Sequence, residues 1–236
     1  MYKRIERQFL LFSVPLLLVG FLFSSLGSVF IDKDARPASG EPSLTVVIDA
    51  GHGGVDAGAI AVNGVLEKDL NLSLALLLSE HFEKRGVRVV LTRTADTLVL
   101  EEGDKSAPSF KERDLYNRAA IADASGGALL VSIHMNAFHD GKYRGLEVYH
   151  DARTALSRRV AESVRATVIR EHEPYNTRPL KAGGSLYLLS HTAIPAVLIE
   201  CGFLSNAEDA AKLSDKDYQK KLSFSIFCAI MEVIDS

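Results

Sequence analysis

The sequence predicts an α/β protein: a mostly parallel, twisted sheet of about six strands flanked by helices, preceded by one amino-terminal transmembrane helix. Two patterns carry the sheet. Short apolar, β-rich runs bounded by turn residues recur at residues 45–48, 87–91, 128–133, 146–149, 186–189 and 196–199. Between most of them lie stretches whose apolar residues return every three or four positions, as on a helix with one buried face. Several of the runs are apolar throughout rather than alternating, as strands covered on both faces are.

Taken in order, the chain begins with an uncharged apolar run of 23 residues, Phe9 to Ile31, long enough to span a bilayer. Lys3, Arg4 and Arg7 precede it, while the charges of Asp32, Lys33, Asp34 and Arg36 roughly cancel after it. The positive-inside rule then puts the amino terminus in the cytoplasm and the rest of the chain outside. Ser25-Leu26-Gly27 also offers small residues at signal-peptidase offsets, so cleavage is the competing reading. The run exceeds the roughly 7–15 residues of a signal core, which favours the uncleaved anchor; export follows from either. Residues 1–31 are therefore read as anchor or signal, 32–43 as a linker carrying Pro37, Ser39, Gly40 and Pro42, and 44–236 as one catalytic domain.

Within that domain the clearest helix covers residues 70–85, where Leu70, Leu74, Leu77, Leu78 and Phe82 share a face and Gly86 ends it. Further helices fit residues 111–124, 155–172 and 218–234. Residues 101–111 read as a surface loop with the composition of a groove border. A net charge of −3 leaves no basic stripe for nucleic acid, which is excluded as a partner.

Four ionisable residues stand where a strand–helix protein gathers its chemistry. His52 follows the 45–48 strand in a run of small residues, Glu67 opens a helix, His134 ends the 128–133 strand, and Glu200 ends the 196–199 strand. In open α/β sheets, sites form beyond the carboxyl ends of strands. Taken singly each has a plain structural explanation: a loop histidine, an acid at a helix start, a core histidine. Glu200 is harder to explain so, because a carboxylate after Pro195-Ala196-Val197-Leu198-Ile199 is costly to bury without a cation or hydrogen-bond donors. Two imidazoles with carboxylates are the donor set of an open zinc site, which keeps a position for water and needs a proton acceptor beside it.

The sequence resembles the zinc-dependent N-acetylmuramoyl-L-alanine amidases, the Amidase_3 family, over essentially Thr45 to Ile234. Six ordered segments carry the likeness: Val47-Ile48-Asp49-Ala50-Gly51-His52-Gly53-Gly54; Glu67 with the leucines after it; Leu91-Thr92-Arg93-Thr94-Ala95-Asp96; Ser132-Ile133-His134-Met135-Asn136-Ala137; Gly145-Leu146-Glu147-Val148-Tyr149; and Pro195 through Asn206. The resemblance implies a zinc-exopeptidase or phosphorylase/hydrolase-like fold and cleavage of the amide between N-acetylmuramic acid and L-alanine in peptidoglycan. It implies one zinc ion held by His52, Glu67 and His134, with Glu200 as the catalytic glutamate. Arg93, Arg118 and Asn136 match positions near the cleft and are expected to be substrate contacts or supports. Asp123 departs from the asparagine many relatives carry.

Only a short turn, residues 138–144, joins the His134 segment to Gly145, where division-type relatives carry an autoinhibitory helix, so the site is expected to be uncovered. With no wall-binding repeat in the sequence, the amino-terminal segment is expected to tether the domain to the membrane. That layout is similar to the sporulation amidases of the CwlD type, and the likeness implies action on spore cortex ahead of muramic-δ-lactam formation, with a lipoprotein partner in some lineages. A zinc carboxypeptidase acting on the stem peptide and a non-catalytic peptidoglycan-binding regulator are the rival readings; the first lacks an evident arginine clamp and intact Glu200 argues against the second. Cys201 reads as a buried structural cysteine, and its pairing with Cys228 is left open by the sequence.

Overall fold

The structure, a computed structural model, describes residues 44–100 and 109–236. The expected anchor or signal, the linker and most of the 101–111 loop lie outside the described residues. Among the described residues no helix is long and apolar enough to cross a membrane.

The strands β1 (Thr45–Ala50), β2 (Arg88–Leu91), β3 (Leu129–Asn136), β4 (Glu147–His150), β5 (Lys181–Ala182) and β6 (Ala196–Phe203) form a six-stranded sheet in the order β2-β1-β3-β6-β4-β5. The pairs β2–β1, β1–β3 and β3–β6 are parallel, β4 runs antiparallel to β6, and β5 is parallel to β4. The helices are α1 (Glu67–Lys84), α2 (Phe110–Ala124), α3 (Ala155–His172), α4 (Tyr187–His191), α5 (Ala207–Ser214) and α6 (Lys216–Ile234).

Side chains of β1, β3 and β6 alternate between two unequal cores. Val46, Ile48, Val131, Ile133, Val197 and Ile199 pack in the larger core with Leu74, Leu78 and Phe82 of α1, Val160 and Val164 of α3, and Leu222 and Ile226 of α6. Val47, Leu130 and Leu198 face the smaller core, with Ala119 and Ala122 of α2 and Leu188 and Leu189 of α4. Because direction alternates along a strand, His134 and Glu200 continue the rows of Leu130 and Leu198 onto this second face. There the strands run past their helical cover.

Three expectations change. Residues 186–189 were expected as a strand, but Leu186 is the N-cap of α4, and the strand at that edge is the two-residue β5. A short apolar run does not distinguish the two states, and here a helical turn buries both Leu188 and Leu189. Helix α5 was not foreseen; its signal is Asn206, whose side chain accepts from the backbone N–H groups of Glu208 and Asp209. His134 and Glu200 do not end their strands, because β3 and β6 each run on, with a register shift between His134 and Asn136.

Candidate metal centre

β1 ends at Ala50, and the chain then turns so tightly that His52 adopts φ 61°, a left-handed conformation rare for a residue with a Cβ. Neighbours fix it there. Gly51 N–H donates to Ile133 O at 3.1 Å and Arg118 Nη2 donates to His52 O at 2.7 Å. His52 Nδ1 donates to Asp56 Oδ2 at 2.8 Å, which turns Nε2 toward Glu67 Oε1 at 3.2 Å. A carboxylate on one ring nitrogen fixes the tautomer and leaves the other free to bind a metal. Burial works against a charged imidazole, but Glu67 and Asp56 together raise the His52 pKa.

Glu67 is the first residue of α1, and both its oxygens are aimed by backbone donors. Oε2 accepts from Ala59 N–H at 2.8 Å and Oε1 from Met135 N–H at 3.1 Å. Gly58, at φ +66°, passes so close that a Cβ there would stand 2.5 Å from Glu67 Oε2. His134 reaches the same carboxylate from β3, with Nδ1 3.0 Å from Glu67 Oε1. Burial would raise the Glu67 pKa, but the two histidines hold it far below the ordinary carboxylate range. One nitrogen from each of the two histidines and one Glu67 oxygen lie within 4.8 Å of one another. Two imidazoles and one carboxylate within that span fit a divalent cation with a coordination position left for solvent or substrate.

Glu200 pairs with His134 across the parallel β3–β6 ladder, so the two side chains leave the sheet side by side. Its Oε2 is buried with no hydrogen-bond partner among the described residues. Burial, reinforced by Glu67 and Glu147, pushes its pKa up to about 7 against the pull of His134 and His52. A buried, unpartnered carboxylate oxygen beside three converging ligands is suited to moving a proton. Cys201, next in sequence, points into the larger core on the other face, is free like Cys228, and has its thiol pKa raised well above normal by burial. It is not poised as a nucleophile.

Arg118 and Arg93 form the platform beneath these groups. Arg118, 1% exposed, donates to Asp114 Oδ2 and Asp49 Oδ1, both at 2.7 Å, and to Ala50 O at 2.6 Å. Asp49 also accepts from Thr92 and Ser132; burial would raise its pKa, but Arg118 and these partners lower it to about 2. Arg93 donates to the carbonyls of Ala50, Gly51, Lys68 and Ala95. Of the two roles expected for these arginines, the hydrogen bonds favour support. Asn136 Nδ2 donates to Glu147 Oε2 at 3.1 Å. Asp123 accepts from Thr192 Oγ1 and Ala193 N–H, tying α2 to the turn before β6. Residues 137–146 carry no helix.

Sequence reasoning missed Asp49, Asp56 and Glu147 as members of this neighbourhood. Asp56 had a local signal, four residues from His52. Glu147 had only its place in the Gly145–Tyr149 segment, because it reaches the site through the antiparallel pairing of β4 with β6.

The comparisons with known proteins agree with this geometry. The family model for Amidase_3, N-acetylmuramoyl-L-alanine amidase, matches residues 46–232. The chain is 34% identical over 195 residues to the germination-specific N-acetylmuramoyl-L-alanine amidase of Bacillus subtilis (strain 168), covering 83% of this chain and 80% of that protein. It is 35% identical over 193 residues to the N-acetylmuramoyl-L-alanine amidase LytC of the same organism, covering 81% of this chain but 35% of that longer protein. Among solved structures, the CwlD amidase from Clostridioides difficile in complex with the GerS lipoprotein superposes with a TM-score of 0.77 at 35% identity, covering 82% of this chain and 99% of that one. The matched family spans nearly the whole described domain: this chain belongs to the Amidase_3 family of N-acetylmuramoyl-L-alanine amidases.

Proposed function

We propose that the chain is a zinc hydrolase that cleaves the amide between N-acetylmuramic acid and L-alanine in peptidoglycan, with His52, Glu67 and His134 holding the metal and Glu200 moving the proton. The observation that carries the reading is the convergence of three ligand atoms within 4.8 Å next to a strand-paired glutamate whose Oε2 has no partner among the described residues. When bound, zinc supplies Lewis-acid polarisation of the scissile carbonyl and acidifies water. Glu200 accepts a proton from the attacking water at its free oxygen and passes it to the departing alanine nitrogen. Asp56 keeps the His52 ring in one tautomer, and the two arginines hold the loop that carries it. No side chain needs to form a covalent intermediate.

The similarity to a germination-specific amidase and to CwlD supports spore cortex as the natural substrate, with peptide removal preceding muramic-δ-lactam formation. The presence of a lipoprotein in the CwlD structure supports a lipoprotein partner here as well. Tethering by residues 1–31 and extracytoplasmic action complete the proposal.

Products of digestion decide it. Purified protein incubated with intact peptidoglycan, from vegetative wall and spore cortex side by side, is expected to release stem peptides and leave peptide-free muramic acid by mass spectrometry. Free terminal D-alanine would instead identify a carboxypeptidase, and no product a binding protein.

A further inference from the structure

A cleft of about 350 Å³ opens beside β4, with Lys142, Tyr143, Arg144, Tyr175 and Arg178 among its walls. Glu147 pairs with Glu200 across β4 and β6, and Arg178 Nη1 donates to Glu147 Oε1 at 3.0 Å. Lys181 Nζ donates to the other oxygen of Glu147 at 3.0 Å, and Asn136 and Tyr149 donate to that oxygen too. Two cations, Arg178 and Lys181, share one 4%-exposed carboxylate.

Arg178 is also held still. Its Nε donates to Arg144 O at 3.3 Å, and its guanidinium lies over the rings of Phe203, at 4.6 Å, and Tyr143, at 5.5 Å. Nη2 has no hydrogen-bond partner among the described residues. A guanidinium fixed at Nε and Nη1, with a free N–H edge, is preorganised for a carboxylate, since little side-chain entropy remains to be lost on binding. The tyrosine walls offer flat surface for peptide, and Arg144 and Lys142 are each paired with an exposed acid, Glu208 and Asp140.

We propose that this cleft takes the peptide arm of the substrate, and that Arg178, positioned by Glu147, receives a free carboxylate on the residue following the L-alanine. The inference rests on the amidase reading and assigns it a direction, with glycan on the far side of the metal ligands and acidic peptide toward β4 and β5.

The test compares an acidic and an amidated peptide. Zinc-loaded full chain is titrated by NMR with L-alanyl-D-glutamate and with L-alanyl-D-isoglutamine, and kcat/KM is measured on the corresponding N-acetylmuramoyl dipeptides. The acid is expected to be favoured about tenfold in both, the scale of one charge-assisted hydrogen bond. Arg178→Gln should abolish the preference and Arg178→Lys should retain part of it. Equal affinity for the two peptides in the wild type, binding of neither, or a preference that survives Arg178→Gln overturns the proposal. The wild-type comparison stands even where a variant fails to fold. Failure to cleave either muramoyl substrate counts against the amidase reading, while the binding arm, which needs no turnover, still decides the cleft.

Discussion

Replacing Arg118 with methionine keeps much of the side-chain volume but removes every donor that Arg118 supplies. Asp49 Oδ1 and Asp114 Oδ2 each lose a 2.7 Å charged partner, and the carbonyls of Ala50 and His52 lose donors at 2.6 and 2.7 Å. Asp49 is fully buried and Asp114 is 3% exposed, so water cannot readily replace the lost bonds. Breaking a buried ion pair by removing one partner costs about 3–5 kcal/mol, because the remaining charge is left uncompensated. Two carboxylates share this loss, but Asp49 keeps its bonds from Thr92 and Ser132, so the same range applies. For a domain of this size it corresponds to a fall of about 6–20 °C in the thermal midpoint. Urea unfolding of the metal-free protein, followed by circular dichroism, measures it without interference from zinc linkage. Arg118→Lys should fall between wild type and Arg118→Met, since an ammonium keeps the charge but not the fork. A loss below about 1 kcal/mol in Arg118→Met would refute the reasoning, placing the pair in the weak class of solvent-screened contacts.

Three further outcomes follow. Asp49 has its pKa lowered from 3.8 to about 2 in the fold, so its contribution is fully present above 3.8 and lost as pH falls toward 2; this amounts to about 2 kcal/mol. Acid titration of stability should show that loss in wild type and a shallower slope in Asp49→Asn. Glu200→Gln should keep zinc and lose turnover by about 10²–10⁴-fold; near-normal turnover with full zinc content would remove Glu200 from the mechanism. Because burial sets its pKa at about 7 in the metal-free chain and a neighbouring dication lowers it, activity should be lost on the acid side of pH 7 as the base protonates. In Gly51→Ala the new Cβ would stand 2.1 Å from His134 Cε1, so the ring must move. Zinc affinity, measured by chelator competition, is expected to weaken about 10–100-fold, the scale of losing a ligand's support; unchanged affinity would mean that His134 is not held against Gly51 as described.

The periodicity of Leu70, Leu74, Leu78 and Phe82 announced α1 because helix formation there is a local matter of spacing, and the structure buries those four residues on one face. Leu186 to Leu189 announced nothing reliable, because four apolar residues suit either state until a neighbouring surface selects one. His52, His134 and Glu200 were legible because each follows an apolar strand run, and Glu67 because it opens the α1 pattern. Their depth within the strands was not, because β3 and β6 continue past them only through pairing with each other and with β4.

The amino-acid sequence by itself determined the residue types, the order of most elements and the kinship of the chain, since these depend on spacing along the backbone. Tertiary structure alone decided that Arg93 and Arg118 turn inward as a platform. It alone brought Glu147, Arg178 and Lys181 beside Glu200. The physical reason is that hydrogen-bond partners and local dielectric are set by strand register and packing between segments tens of residues apart, and neither is written in local spacing.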